Sequence, residues 1–194
     1  MRNMQRFSFT ARVTILLVHA PLAWAVDATM TSGGYTGLGL TPNAHTLAWG
    51  RFETTYDNQL PGVVRNPKGH NYTAAFGLLP NIEVSGRVAA NDLHNNCYTQ
   101  GCGNARDLSA AAKMGIGLDA GNRFRVAVGA TDFGGAATFF RAYYGVLTYN
   151  ESALEASAGL AKRSKSGVGG ASSPLNGPFG SVAWQPLPWV RGHV

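Results

Sequence analysis

Charged side chains are scarce in this chain, and long apolar runs are absent after residue 25. Asp, Glu, Lys and Arg together make up 13% of the 194 residues, about half of the roughly 25% found in ordinary soluble domains. A helix that crosses a bilayer needs about 20 consecutive apolar residues, and no segment after residue 25 supplies them. If the chain enters a membrane, it therefore does so as strands.

Cysteine is scarcer still, because Cys97 and Cys102 are the only two. They lie close together in a loop-forming stretch that contains Gly101. In an exported protein, an even count at such a spacing favours a local disulfide. His94 is near them, but these three residues without a second paired motif do not match the ligand spacing of zinc sites. We therefore predict a Cys97–Cys102 disulfide and no metal site.

The N-terminus has the three parts of an export signal. Three arginines give it positive charge, the apolar run 13–18 follows, and Ala-Trp-Ala at 23–25 supplies the small-x-small pattern that signal peptidase recognises. The apolar run is too short for a membrane-spanning helix. We predict a signal peptide over residues 1–25 and a mature chain that begins at Val26.

Removal of this signal halves the formal net charge. The mature chain then has thirteen Lys and Arg and ten Asp and Glu, so the formal net charge falls from +6 to +3. Binding of nucleic acid needs a clustered basic face. The densest basic cluster, Lys162-Arg163-Ser164-Lys165, lies in a Gly- and Ser-rich stretch and is expected to be a solvated surface. No nucleic-acid partner is predicted.

Alternation of apolar with small or polar residues begins at residue 46 and recurs to the C-terminus. It predicts strands at 46–56, 71–79, 82–90, 107–118, 123–131, 139–149, 153–160, 179–185 and 189–194, the last two being less regular. Segments of about ten residues with one apolar face are typical of outer-membrane barrels. In the strand at 139–149 the apolar face is assigned to Phe140, Ala142, Tyr144 and Val146, opposite Arg141, Tyr143 and Gly145.

Connection lengths separate a barrel from a soluble β-sandwich, which also alternates. The links after the second, fourth, sixth and eighth strands are short and built from turn formers, whereas the other links are longer. Short periplasmic turns and long extracellular loops alternate in this way in bacterial barrels. We predict an all-β fold, an antiparallel meander of about nine strands that is part of a barrel in the outer membrane of a Gram-negative bacterium.

Three regions follow from this interpretation: the signal peptide at 1–25, a Gly-rich periplasmic lead-in at 26–45 and the barrel at 46–194. Glycines at 33–39 have a superficial likeness to a phosphate-binding loop, but the Lys-Ser/Thr that would contact phosphate is missing. The lead-in is therefore interpreted as flexible or tightly turning. Because single-chain bacterial barrels use an even number of strands, residues 46–194 are expected to be the N-terminal portion of a larger barrel.

Separated charged residues lie on the faces predicted to point inwards. They are Glu53, Glu83, Arg87, Lys113, Arg125, Arg141 and Glu155. In a barrel they would face the lumen and one another, as a wet channel or a polar plug. Charge pairs that only stabilise the interior are an equal alternative.

Catalysis has little support in the sequence. The histidines are scattered, the nucleophile elbow Gly-x-Ser-x-Gly is absent, and the carboxylates lie on separate predicted strands. We predict a protein that is not an enzyme and that carries no cofactor.

Four stretches carry a resemblance to a known family. They are GYTGLGLTPNA at 34–44, LLPNIEV at 78–84, VAVGATDFGG at 126–135 with the aromatic-rich YYGV at 143–146 after it, and GPFGSVAWQP at 177–186. In order and spacing they resemble the YjbH-type (YbjH) family of outer-membrane proteins associated with exopolysaccharide secretion.

The resemblance implies a β-barrel lipoprotein or porin-like protein without known catalytic residues. It also implies outer-membrane lipid, exopolysaccharide and other polysaccharide-export proteins as partners. The sequence departs from the family in having no cysteine at the cleavage site, which argues against a lipid anchor, and in ending after about nine strands where family members continue. The alternative function is a structural or adhesive surface barrel that binds partners through its long loops.

Overall fold

The computed structural model describes residues 29–58, 69–91, 106–133, 140–164, 173–187 and 190–194. The predicted signal peptide and the predicted Cys97–Cys102 disulfide lie outside these ranges. Every regular element within them is a β-strand. Over the same ranges, no helix has the length and apolar character needed to cross a membrane.

Nine strands form one antiparallel sheet, in which each strand pairs with its neighbours along the chain. A two-stranded ribbon, β1 (Gly37–Leu38) and β2 (Thr41–Pro42), precedes it. The sheet strands are β3 (Phe52–Asp57), β4 (Gly69–Leu79), β5 (Ile82–Asn91), β6 (Arg106–Gly117), β7 (Phe124–Phe133), β8 (Ala142–Glu151), β9 (Leu154–Arg163), β10 (Gly177–Leu187) and β11 (Val190–His193). The predicted nine-stranded antiparallel meander is confirmed. Among the described residues β3 and β11 do not pair with each other, so the sheet is not closed into a barrel.

The short links between strands depend on residues with positive φ. Asn81 (φ 66°), Asn122 (φ 52°) and Ser152 (φ 50°) each lie in one of these links. Asn adopts this left-handed conformation at little cost, whereas Ser does so less readily. Pro80 precedes Asn81, and its fixed φ favours the tight reversal between β4 and β5.

The exposed face of the sheet is apolar and the buried face carries charged residues, which is the opposite of the arrangement in a soluble protein. On β6, Leu108 (62% exposed), Met114 (51%) and Ile116 (49%) point outwards, whereas Lys113 between them is only 2% exposed. The same alternation runs through β4, β5, β7 and β9. Large apolar side chains therefore cover the outer face, and the inner face carries small and charged residues.

The largest differences between prediction and structure are in the first predicted strand and in β8. The first begins at Phe52 rather than at residue 46, because the preceding residues turn into the interior. In β8 the apolar face was assigned wrongly: Tyr144 and Val146 are buried on the inner face, and Tyr143 points outwards. The physical reason is a partner inside the sheet, since the ring of Tyr144 lies 5.8 Å from that of Tyr35.

That partner belongs to residues 31–48, which we call the inner segment. Its Tyr35 and Ala44 form a buried apolar cluster with alanines of β6, β7, β8 and β9 and with Leu175 from the connection before β10. Strands from β4 to β9 all reach the inner segment, so the sheet curves around it. The region interpreted as a flexible lead-in is thus packed inside the sheet over the residues that the structure describes.

Candidate functional site

The centre of the buried polar interior is the pair Glu83 and Lys113. They are direct cross-strand partners on β5 and β6, with Lys113 Nζ 3.8 Å from Glu83 Oε1. Both side chains are buried. Glu83 also bridges two points of the inner segment, because its Oε1 accepts a hydrogen bond from Thr36 N (2.8 Å) and its Oε2 one from Leu47 N (2.9 Å). The carboxylate therefore fixes both ends of a turn-containing stretch.

Lys113 completes the same contact from the neighbouring strand. Its ammonium group donates to the carbonyl oxygens of Thr36 (2.8 Å) and Asn43 (3.4 Å) and to the Thr36 hydroxyl. A buried ammonium is tolerated only where its protons find acceptors and its charge a partner. Glu83 and the inner segment together meet both conditions.

A second group of contacts comes from β8 and β9. Thr148 Oγ1 accepts a hydrogen bond from Ala44 N (2.8 Å), and Glu155 Oε1 accepts one from Asn43 Nδ2 (2.9 Å). Glu155 Oε2 lies 2.9 Å from the guanidinium Nη2 of Arg191, which reaches in from β11. Glu155 thus joins the inner segment to the last strand of the sheet.

His45 lies at the edge of this group. Its Nε2 is 3.1 Å from Asn150 Oδ1 and 3.7 Å from Glu155 Oε2. Burial lowers the pKa of His45, because it disfavours the imidazolium, and this outweighs the opposing effect of the Glu155 carboxylate. His45 is therefore held in its neutral form near pH 7.

The other predicted site residues lie around this centre. Arg125 is half-buried and its Nε donates to Ala44 O (3.4 Å), whereas Arg87 is buried with its guanidinium 5.3 Å from the centroid of the Phe140 ring. Glu53 lies partly exposed on β3, beside Ala75 of β4. Arg141 is not brought into the group: it precedes β8, and its Nε donates to Asp132 O (3.3 Å).

Sequence reasoning missed the uncharged residues that link the inner segment to the sheet. Thr36, Asn43 and Thr148 each bind across the interior to positions far away in the chain. Two inward glycines were a usable signal, because glycine within a strand often marks close approach of another backbone. A Cβ at Gly115 would lie 2.6 Å from Ala44 O, and one at Gly77 would lie 2.0 Å from Ala48 O.

The arrangement binds a chain segment and neutralises charge. In Glu83, Lys113 and Glu155, the polar atoms described above are engaged by the inner segment or by a neighbouring side chain. Across the described ranges, no group of three or more His, Cys, Asp and Glu residues could hold a metal ion. The contacts of Glu83, Lys113, Thr148 and Glu155 with the inner segment form a docking surface for an irregular backbone.

These features define an all-β protein of the antiparallel-meander class, with an apolar outer face and a polar interior filled by its own N-terminal region. A family model described as exopolysaccharide biosynthesis protein YbjH matches residues 29–188. The chain belongs to this YjbH exopolysaccharide biosynthesis family, which confirms the resemblance seen in the sequence. No curated protein and no solved structure matches the chain.

Proposed function

We propose that this chain is part of a porin-like outer-membrane β-barrel that serves exopolysaccharide secretion or assembly without catalysing a reaction. The observation that carries the proposal is the apolar outer face of the sheet. Large hydrophobic side chains such as Leu160 and Val128 are more than half exposed there. Contiguous apolar surface of this extent marks a site of contact with lipid or another protein.

The distribution of side chains on that face matches a bilayer. Exposed aromatic residues lie near both ends of the strands: Tyr56, Tyr72 and Tyr143 at one end, and Phe52, Phe124 and Trp184 at the other. The exposed aliphatic residues Met114, Val128, Leu147 and Val182 lie between them. An apolar band flanked by two aromatic girdles is the arrangement found in outer-membrane barrels.

Cross-strand pairs reinforce these girdles. Tyr56 faces Tyr72 with ring centroids 4.9 Å apart, and Phe124 faces Tyr149 at the same distance near the opposite end of the strands. A soluble sandwich would turn its polar faces outwards. Here Glu83, Lys113 and Glu155 are all buried inside, which supports lipid as the outer environment.

The link to exopolysaccharide rests on the family to which the chain belongs. Within that setting the barrel contacts outer-membrane lipid, the polymer and the other export proteins. A non-catalytic role is supported by the site itself, because Glu83, Lys113 and Glu155 bind the inner segment of the same chain. Passage and assembly of a polymer need a shaped conduit and no bond chemistry.

The experiment that tests the proposal is deletion of the gene in its own host, with complementation by the wild-type gene. The deletion strain should secrete less exopolysaccharide, and complementation should restore it. The protein should be recovered from the outer-membrane fraction as a heat-modifiable, protease-resistant species. Recovery as a soluble periplasmic protein would contradict the barrel. Unchanged secretion together with lost surface attachment would favour the adhesive alternative.

A further inference from the structure

The inner segment is docked on the sheet through side chains. Its backbone–backbone hydrogen bonds stay within residues 29–51, as from Thr31 N to Tyr35 O and from Ser32 N to Gly39 O. Its links to the sheet run to side chains of β5, β6, β7, β8 and β9, from backbone atoms of the segment and from the amide of Asn43. Among the described residues β1 and β2 form a sheet separate from the nine-stranded one. The segment can therefore leave the interior without breaking the nine-stranded ladder.

The match between segment and sheet is specific in charge and in shape. Glu83 meets two backbone N–H groups, and Lys113 meets two backbone carbonyl groups. Gly77 and Gly115 leave room for the carbonyl groups of Ala48 and Ala44. The hydrogen-bonding groups of Glu83 and Lys113 and the two glycines therefore all match the path of the inner segment.

The inner segment packs closely against the sheet near Tyr35. A cavity beside Tyr35, Arg87 and Phe140 has a volume of about 30 Å³. This is room for roughly one water molecule and far too little for a sugar ring. Along β4 to β9, the inner face of the described sheet is thus covered by the inner segment.

We propose that the inner segment is a plug that closes the conduit, and that its release from Glu83, Lys113 and Gly115 opens the passage for polymer. The inference rests on the proposed function, since a plug has meaning only in a barrel that conducts. The buried ion pair and the glycine contacts hold the closed state. Release breaks the hydrogen bonds to Glu83, Lys113, Arg125, Thr148 and Glu155 and separates the apolar cluster around Tyr35, but it leaves the strand pairing intact.

The test places a larger side chain, called the wedge, on the inner face of the sheet, and the same substitution on the outer face serves as the matched control. In Gly115→Val the new side chain meets Ala44 O, where even a Cβ would lie at 2.6 Å, and should displace the inner segment. In Gly145→Val the new Cβ finds its nearest atom 4.0 Å away, so the inner segment stays in place. The double variant Glu83→Gln/Lys113→Met provides a second route to release without a wedge.

Each variant is expressed from its own locus, and the uptake of a hydrophilic antibiotic too large for the resident porins is measured in intact cells. The plug predicts severalfold higher uptake for Gly115→Val and for the double variant, and wild-type uptake for Gly145→Val. Heat-modifiable mobility of the outer-membrane protein reports folding. If Gly115→Val does not accumulate as a folded protein, the double variant decides.

Equal uptake in folded wild-type, wedge and double-variant proteins would overturn the plug and leave the barrel standing. High uptake by the wild type itself would overturn the plug as well. Absence of the wild-type protein from the outer membrane would overturn both the barrel and the plug. The failures of the two proposals are therefore distinguishable.

Discussion

Lys113 Nζ lies 3.8 Å from Glu83 Oε1, between direct partners on adjacent strands whose side chains are both buried. The pair is not self-sufficient, because the remaining hydrogen-bonding capacity of both groups is directed to Thr36, Asn43 and Leu47. A buried ion pair is stable only when such additional bonds are made. The inner segment and the pair therefore stabilise each other, and the loss of either exposes the other to an unfavourable environment.

A double-mutant cycle on this pair should show strong coupling. Lys113→Met or Glu83→Gln alone leaves an uncompensated buried charge or polar group and should lower the free energy of unfolding by up to about 3–5 kcal/mol. The double variant should cost clearly less than the sum of the two. Guanidinium unfolding of the protein in lipid vesicles measures the three values. Strictly additive costs would mean that the two groups do not interact in the folded protein.

A charged side chain on the outer face should destabilise the protein. Val128 points outwards near the middle of β7, so Val128→Arg should cost about 2–4 kcal/mol if it faces the bilayer midplane. Ala120→Arg, at an exposed position in the turn before β7, is the matched control and should cost little. Comparable costs at the two positions, measured by unfolding in vesicles, would contradict a lipid-facing surface.

The structure changes what is expected on the inner face. Strand alternation alone implies that Arg is tolerated at Ser157, on the face opposite the exposed apolar side chains. Ser157 is buried, however, and its hydroxyl lies 2.8 Å from that of Thr148, which holds the backbone of Ala44. We therefore expect Ser157→Arg to displace the inner segment and to destabilise the protein as severely as a charge on the outer face.

His45 should make stability depend on pH. Burial places its pKa below the unfolded value of 6.5, with Arg125 and Lys113 adding to the lowering and Glu155 opposing it. The unfolded chain then binds a proton more readily, so stability falls as the pH drops below about 6.5 towards the folded pKa. His45→Gln, which can still donate to Asn150, should lose less stability between pH 7 and pH 5. Parallel pH profiles for the two proteins would contradict this role.

A glycine in the turn between β8 and β9 should stabilise the protein. Ser152 has a φ of 50°, which costs an L-residue roughly 1–2 kcal/mol. Ser152→Gly should therefore raise the free energy of unfolding by about 0.5–1 kcal/mol, after the entropy cost of glycine is subtracted. Ala153→Gly in the same turn has no positive φ to relieve and should lower stability. Opposite signs in the two variants are the outcome to look for.

The strands were predictable because alternation is a local property. The bounds of β4, β5, β6 and β7 differ from the sequence prediction by no more than two residues. In β8 both faces carry apolar residues, so the pattern could not decide between Tyr143 and Tyr144. That choice is made by Tyr35, more than 100 residues earlier in the chain.

The candidate site was predictable only in part. Alternation placed Glu83, Arg87, Lys113 and Glu155 on one face, where the structure buries them. It gave no indication of what they bind, because the hydrogen bond from Thr36 N to Glu83 joins residues 47 positions apart. Gly77 and Gly115 could have indicated this contact, since each lies at a point where the inner segment touches the sheet.

The central claim is that the apolar face of the sheet lies in lipid and the opposite face on the inner segment. Spin labels placed singly at the outward positions 108, 110, 112, 114 and 116 of β6 test the outer face directly in outer-membrane vesicles, with a label at Ala120 in the exposed turn as the reference. We predict that the labels on β6 are accessible to oxygen and shielded from a water-soluble nickel chelate, whereas the label at Ala120 is accessible to the chelate. Labels on β6 accessible to the nickel chelate would place the apolar face in water and contradict the account.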